Sequence, residues 1–156
     1  MIVRIVSGGQ TGADRGALDA ALAAGFACGG WCPGGRRAED GRLPDRYPLR
    51  QTDSTAYPPR TALNVRDSDG TVVFVTGPAD GGTELTCKLA QSKDKPLLVL
   101  DLNQEPPAEA AAAVHRWAHA HWIETLNVAG PRESRSPGLQ ARVQAVVARL
   151  IELLQE

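Results

Sequence analysis

The sequence lacks the features that would place it in a membrane, in a secretory pathway or on nucleic acid. No apolar run approaches the roughly 20 residues that a membrane-spanning helix needs, and the first residues have no basic start followed by an apolar stretch. The 17 basic and 18 acidic residues leave a net charge of −1, so no overall field attracts nucleic acid or an anionic membrane. We therefore expect a cytoplasmic protein whose partners are neither nucleic acid nor membranes.

Cysteine and histidine are too few, and too poorly spaced, to indicate a disulfide framework or a metal site. The three cysteines cannot all pair within the chain, and Cys28 and Cys32 do not have the spacing of a redox pair or of half a zinc site. His115 and His119 share one helix face, but neither a glutamate nor a third ligand accompanies them. We expect reduced thiols and no metal held by side chains alone. Contact between Cys28 or Cys32 and the metal of a bound cofactor stays an open question at this stage.

What the sequence does contain is an alternation of short apolar strands with helix-forming segments. Strands are predicted at residues 2–6, 71–76, 96–100 and 124–128, and helices at 13–24, 83–92, 106–122 and from about 138 onward. Residues 25–60 are interpreted as irregular, with one short strand near Gly30. Short apolar strands separated by helices favour a mostly parallel sheet with helices on both faces. Residues 1–156 are therefore predicted to form a single α/β, Rossmann-like domain.

Three of the predicted strands run into glycine-bearing turns that lead to helices. These turns are residues 7–14, 77–84 and 129–138. The carboxyl ends of parallel strands share one edge of a sheet, where ligands bind at the point at which strand order reverses. Glycine lets the backbone approach a phosphate closely, and the unpaired N–H groups of a helix's first turn attract anions. The sequence therefore predicts one pocket for a small phosphorylated ligand.

The predicted binding residues come from these turns and from a basic pair in the irregular segment. Guanidinium groups fork onto phosphate oxygens, which favours the arginines among them. The full set is Gly8, Gly9, Gln10, Thr11, Gly12, Arg36, Arg37, Gly81, Gly82, Thr83, Gly130 and Arg135. Asp14 is interpreted as a helix-start residue. No catalytic residue is assigned, because no Ser–His–Asp set and no pair of carboxylates stands out.

Five segments carry a resemblance to a known family. They are SGGQTGADR at residues 7–15, GGWCPGGRRAEDG at 29–41, NVRDSDG at 64–70, GGT at 81–83 and LNVAGPRES at 126–134. In order and over nearly the whole chain they resemble the molybdenum carrier family, which is similar to the molybdenum cofactor carrier proteins of algae and cyanobacteria. The resemblance implies that the carried ligand is the molybdenum cofactor (molybdopterin). It also implies that molybdoenzymes receive the ligand and that the chain forms a homo-oligomer.

The wider Rossmann-like group also contains nucleotide phosphoribohydrolases, and their motif can be compared with this chain. Their P-G-G-x-G-T-x-x-E motif ends in a glutamate that works in the chemistry. In the aligned residues 78–86, Gly82 and Thr83 are kept, whereas Thr86 stands at the glutamate position. Threonine cannot act as an acid or base at neutral pH, and Glu84 is expected on a different helix face. A carrier is favoured; a nucleoside monophosphate phosphoribohydrolase-like enzyme and a nucleotide-sensing module are the alternatives.

Overall fold

The computed structural model describes all residues from Met1 to Glu156, and strands and helices alternate along them. The strands are β1 (Arg4–Val6), β2 (Cys28–Gly29), β3 (Trp31–Cys32), β4 (Arg37–Ala38), β5 (Gly41–Arg42), β6 (Arg50–Gln51), β7 (Gly70–Val75), β8 (Leu97–Asp101) and β9 (Thr125–Ala129). The helices are α1 (Ala13–Ala23), α2 (Tyr57–Arg66), α3 (Gly81–Ser92), α4 (Pro107–Ala120) and α5 (Leu139–Leu154). None of these helices has the length and apolar character needed to cross a membrane.

Five strands form one central sheet in the order β2-β1-β9-β7-β8, and every pairing in it is parallel. Ile5 pairs with Leu126 of β9, and Val72 pairs with Val128 on the other side of the same strand. These positions are apolar and nearly inaccessible because helices cover both faces of the sheet. The predicted α/β, Rossmann-like fold with a mostly parallel sheet is confirmed.

The direction of each crossover decides which helix covers which face. Helices α1, α4 and α5 pack together on one face, and α2 and α3 pack together on the other. This division follows from right-handed crossovers, because the chain moves outward from β1 in one direction and from β7 in the opposite direction. Strand β9 lies between β1 and β7, so the reversal of strand order falls on these three strands. Their carboxyl ends open at one edge of the sheet.

The segment interpreted as irregular contains more structure than the sequence indicated. Short two-residue strands β2 to β6 and a 3₁₀ turn at Gly34–Arg36 precede helix α2. Helix α2 was not predicted because Pro58 and Pro59 resemble loop residues; both lie in its first turn, where no backbone N–H bond is lost. A small apolar cluster that includes Leu18, Leu43 and Tyr47 holds this segment against α1. The segment is therefore packed against the sheet-covering helix α1 and leads into α2.

Candidate ligand-binding site

The three glycine-bearing turns meet in one pocket, which has polar and apolar surface in similar amounts and a cavity volume of about 170 Å³. The first turn contributes Gly8, Gln10 and Asp14 to the lining, and the second contributes residues 80–83, Leu85 and Thr86. The end of β9 and the third turn contribute residues 127–132 and Arg135. Helix α2 contributes Tyr57, Pro58, Arg60, Thr61 and Asn64. The convergence follows from the topology, because β1, β7 and β9 are adjacent and parallel.

The first turn, residues 7–14, satisfies most of its own backbone donors. The N–H of Gln10 donates to Asp14 Oδ2 (3.2 Å), and that of Thr11 donates to Gln10 Oε1 (3.0 Å). The N–H of Gly12 donates to Gln140 Oε1 (3.0 Å), and the N–H of Ala13 donates to the carbonyl of Pro131 (3.2 Å). These four amides are therefore already occupied, and in this turn only those of Gly8, Gly9 and Asp14 have no acceptor in the protein.

The first and third turns interlock too tightly to admit a ligand between them. A Cβ atom on Gly12 would lie 2.3 Å from the Pro131 carbonyl oxygen, and the φ of Gly12 is +83°, in the region that favours glycine. Glu39, from the hairpin of β4 and β5, joins both turns by accepting the Thr11 hydroxyl and the N–H and hydroxyl of Ser134 (3.1 and 2.6 Å). Burial acts to raise the pKa of Glu39, but the bonds from Ser134 and Thr11 outweigh it and leave this pKa below its usual value.

The third turn supplies its own anion to the helix that follows it. Glu133 accepts hydrogen bonds from the N–H of Gly138 (2.8 Å) and of Gln140 (2.9 Å) at the start of α5. A carboxylate at this position stabilises a helix N-terminus as a bound phosphate would. The N-terminus of α5 is therefore filled from within the chain.

The second turn, which opens α3, differs from the other two. The amides of Thr83 and Glu84 donate to the Asp80 carbonyl, whereas those of Gly81 and Gly82 have no acceptor in the protein. A Cβ atom on Gly82 would meet no heavy atom within 4 Å, so space lies open above this turn. Two free N–H groups at the positive end of a 12-residue helix form a site suited to an anion.

Three arginines line the same pocket, each beside one carboxylate. Arg60 Nη1 lies 3.0 Å from Asp14 Oδ2, and both side chains are almost fully buried. Arg132 Nε lies 3.3 Å from a Glu39 oxygen, and Arg135 Nη1 lies 3.4 Å from Asp80 Oδ2 across the pocket mouth. A guanidinium group carries five N–H donors, so each arginine keeps donors for a ligand. Burial raises the pKa of Asp14 even though the charge of Arg60 acts to lower it.

The structure brings together most, but not all, of the residues predicted for the site. The residues that line the pocket are Gly8, Gln10, Gly81, Gly82, Thr83, Gly130 and Arg135, whereas Gly9, Thr11 and Gly12 do not line it. Asp14 faces the pocket and accepts the Gln10 N–H, so it closes the turn rather than capping the end of α1 in the usual way.

Arg36 and Arg37 lie outside the pocket, each with its guanidinium engaged elsewhere. Arg36 donates to the carbonyls of Leu43 (3.0 Å), Pro44 (2.7 Å), Tyr47 (2.8 Å) and Leu49 (3.2 Å). Arg37 donates to the Thr55 carbonyl (3.0 Å) and lies over the Tyr57 ring. Arg36 therefore stabilises the loop at residues 43–49, and neither arginine lines the pocket, although Arg37 contacts the pocket-lining Tyr57.

The pocket residues that sequence reasoning missed come mainly from helix α2. Tyr57, Arg60 and Asn64 lie three or four positions apart, so they share one helix face. The interpretation of residues 25–60 as irregular is wrong for residues 57–60, which begin this helix. Recognising Pro58 and Pro59 as first-turn residues would have revealed the helical face and Arg60 with it.

The residues compared with the phosphoribohydrolase motif occupy clearly different environments. Thr86 lines the pocket and donates its hydroxyl to the Gly82 carbonyl (3.0 Å). Glu84 lies outside the pocket lining and pairs with Lys88 (3.1 Å) on the exposed side of α3. The glutamate position of the hydrolase motif is therefore occupied by a hydroxyl that is bonded to its own helix. No group of three or more His, Cys, Asp or Glu side chains is arranged to hold a metal ion, and the three cysteines are free thiols.

Comparison with known proteins gives one family and one close structural relative. A family model described as the circularly permutated YpsA SLOG family matches residues 5–151. The crystal structure of a protein named putative molybdenum carrier protein, from Syntrophus aciditrophicus SB, superposes with a TM-score of 0.93 and 41% sequence identity. The similarity covers 96% of this chain and 95% of that chain. No curated protein gives a significant match.

Proposed function

Because the chain belongs to the circularly permutated YpsA SLOG family, we propose that its pocket binds a phosphorylated anionic ligand and carries it without transforming it. The ligand that we propose is the molybdenum cofactor, molybdopterin with its molybdenum, as cargo. The 41% identical relative named for molybdenum carriage supports this choice. We extend the proposal to delivery of the cofactor to molybdoenzymes in the cytoplasm.

The observation that carries the proposal is the second turn with its two free amides. The N–H groups of Gly81 and Gly82 are unpaired and lie at the mouth of a pocket that also contains three arginines. A phosphate needs several donors and a positive field, which the start of α3 and the spare guanidinium N–H groups supply together. The cavity volume of about 170 Å³ is smaller than that of sites that enclose a drug-sized ligand. We therefore expect the pocket to enclose one end of the cofactor.

The residues around the pocket favour binding over chemistry. Hydrolysis of a nucleoside monophosphate adds water across the N-glycosidic bond and releases free base and ribose 5-phosphate, which calls for a carboxylate to stabilise the sugar cation or activate water. Thr86 stands where the hydrolase motif has its glutamate, and Glu84 points away from the pocket. The buried carboxylate of Asp14 is paired with Arg60. Asp14 is therefore the residue to test for any hydrolytic activity.

Self-association is a further part of the proposal. The apolar stripe of α5, including Val143, Val147 and Leu150, is buried against the core, so it covers the sheet instead of forming a dimer face. Val99 on the edge strand β8 is 45% exposed, which offers apolar surface to a second copy of the chain. Sedimentation at two protein concentrations tests this: a single monomeric species at both would contradict it.

The test of the carrier function is retention of the cofactor by the purified protein. The protein is mixed anaerobically with molybdenum cofactor released from a molybdoenzyme and passed through a gel-filtration column. We expect molybdenum and pterin fluorescence to elute together with the protein. Elution of all cofactor in the small-molecule volume would contradict the proposal.

A second arm of the experiment separates the carrier from the alternative functions. The protein is incubated with AMP and with GMP, and free base is followed by chromatography. We expect no free base. Release of base that is lost in Asp14→Asn would replace the carrier with a hydrolase. Tight nucleotide binding without turnover and without cofactor retention would instead favour a nucleotide-sensing module.

A further inference from the structure

Four side chains of the pocket combine deep burial with a polar atom that has no protein partner. Gln10, Asp14, Thr83 and Asn127 all line the pocket and are 7%, 5%, 6% and 3% exposed. The four residues are buried, and their free polar atoms are directed to the open space of the cavity, where a polar ligand or water can bind them. Four in one cavity indicate that its floor is built to bind polar groups.

The hydrogen bonds made by the side-chain amides of Gln10 and Asn127 determine which atom of each amide has no partner in the protein. Gln10 Oε1 accepts the N–H groups of Thr11 (3.0 Å) and Glu39 (2.9 Å), which leaves its Nε2 as a free donor. Asn127 Nδ2 donates to Thr71 Oγ1 (3.2 Å), which leaves its Oδ1 as a free acceptor. The floor therefore offers one amide donor and one amide acceptor in defined orientations.

Asp14 adds a second and stronger acceptor. Its Oδ2 accepts the Gln10 N–H (3.2 Å) and Arg60 Nη1 (3.0 Å), and the Ser7 hydroxyl is a further protein donor close to this carboxyl group. This hydroxyl donates to the Val128 carbonyl (2.6 Å). Arg60 balances the charge of Asp14 when the carboxyl is ionised, but the carboxyl oxygens are acceptors and therefore suit an N–H donor of a ligand better than a phosphate or oxo-metal oxygen.

The pocket is thus divided by the kind of group that each part can bind. Asp80, Gly81 and Gly82 are exposed at the mouth and carry the free amides, which suit an anion. Asp14 and Asn127 are buried at the floor and present acceptors, which suit a neutral group rich in N–H donors. A ligand with a flat, amino-substituted ring at one end and an anionic group at the other matches both parts.

We propose that the floor formed by Gln10, Asp14 and Asn127 recognises the 2-amino-4-oxopyrimidine ring, which pterins and guanine share, through its N–H groups. This inference rests on the proposed carrier function and deepens it by assigning the orientation of the ligand: ring at the floor, anionic end at Gly81 and Gly82. Asp14 accepts from the amino group of the ring, and Gln10 Nε2 donates to an acceptor of the ring.

The test compares nucleotides that differ by a single donor, in calorimetric titrations of the full chain. GMP and IMP differ only in the 2-amino group, and 2′-deoxy-GMP lacks a sugar hydroxyl that could also donate to a carboxylate. We expect GMP to bind at least about tenfold more tightly than IMP, because a hydrogen bond to a charged acceptor is lost with the amino group. We expect 2′-deoxy-GMP to bind as GMP does.

The variant Asp14→Asn should bring GMP and IMP to within about twofold of each other, since its amide lacks the charge. Ser92→Ala, at the far end of α3, should keep the wild-type ratio. Equal binding of GMP and IMP by the wild-type protein would overturn the inference, as would an unchanged ratio in Asp14→Asn or a large loss with 2′-deoxy-GMP. If Asp14→Asn does not fold, the three nucleotides decide on the wild-type protein. Cofactor retention without GMP binding would overturn this inference alone, whereas loss of both would overturn the carrier function too.

Discussion

The first and second glycine-bearing turns look alike in sequence but differ in which of their amides are hydrogen-bonded within the protein. In the first turn, the amides of residues 10–13 donate to the side chains of Gln10, Asp14 and Gln140 and to the third turn, which leaves those of Gly8 and Gly9 without an acceptor. The second turn leaves the amides of Gly81 and Gly82 unpaired and open to the pocket. A glycine-rich strand-to-helix turn is therefore not in itself an anion site. What matters is whether the chain's own oxygens already occupy its donors.

The two turns therefore have different roles, one in stability and one in binding. The first turn is a structural joint whose glycines allow close contact with the third turn and with Arg60. The second turn is the open part that we expect to bind the anionic end of a ligand. Substitutions in the first turn should therefore cost stability, and substitutions in the second should change binding.

The largest expected effect is a loss of stability on removal of the Arg60 charge, which pairs with Asp14 in the first turn. Arg60→Met leaves Asp14 buried without a partner, and we expect the free energy of unfolding at pH 8 to fall by about 4 kcal/mol. Burial raises the pKa of Asp14 in the folded state above its value in the unfolded state. The protonated carboxyl therefore contributes to the free energy of unfolding at low pH, and this contribution is lost as the pH rises and the carboxyl ionises. The deficit should therefore be smaller at pH 5 than at pH 8.

Urea unfolding followed by tryptophan fluorescence at both pH values measures this deficit. Arg149→Met is the matched control, because it removes an exposed ion pair with Glu152, and we expect it to change stability by less than about 1 kcal/mol. An equal deficit for Arg60→Met at both pH values would contradict the assignment of the effect to Asp14.

A second prediction concerns the close contact at Gly12. In Gly12→Ala the new methyl group would lie 2.3 Å from the Pro131 carbonyl oxygen, at a residue whose φ is +83°. We expect a loss of about 3 kcal/mol from backbone strain and overpacking together. Gly25→Ala separates the two causes, because φ is +64° there but no atom lies within 4 Å; it should cost only about 1 kcal/mol. Equal losses in urea unfolding would show that interlocking of the turns contributes nothing.

The joint and the open turn also differ in how far the sequence could predict them. The apolar strands and the order of elements predicted the sheet, and parallel strands then required the three turns to share an edge. The occupied state of the first turn depends on Glu39 and Gln140, which lie far away in the sequence, and no local pattern indicates them.

Arg36 is a second case in which the sequence does not reveal the partners of a polar side chain. An arginine in a glycine-rich loop resembles a phosphate ligand, yet Arg36 is buried and donates to four backbone carbonyls. Arg60 was overlooked because prolines concealed the start of α2. Charged residue types can be predicted as available donors from sequence, but their partners depend on the tertiary fold.

The open turn can be tested without disturbing the fold. Gly82→Ala places a methyl group in the space above the free amides and touches no protein atom within 4 Å. We expect affinity for inorganic phosphate and for AMP to fall at least about tenfold through steric exclusion and the cost of separating the anion from the amides. Unfolding should stay within about 1 kcal/mol of wild type, since alanine is a better helix former than glycine. Calorimetric titration checks this, and unchanged affinity would remove the second turn from the site.

The smallest expected effect is a gain in binding from Asp80→Asn. Asp80 lies 3.4 Å from Arg135 and places a negative charge at the start of α3. Neutralising it frees Arg135 and removes repulsion, so we expect affinity for inorganic phosphate to rise about threefold, as befits an exposed pair. Ser92→Ala on the same helix should leave this affinity unchanged. A fall in affinity would mean that Asp80 itself helps to hold the ligand.

The most direct measurement is the position of an anion in crystals of this protein soaked with phosphate or molybdate. We expect density within hydrogen-bond distance of the amides of Gly81 and Gly82, with Arg132 or Arg135 turned toward it. Density held by the amides of residues 8–12 would contradict it, because that result would make the first turn the binding site and the second turn a connector.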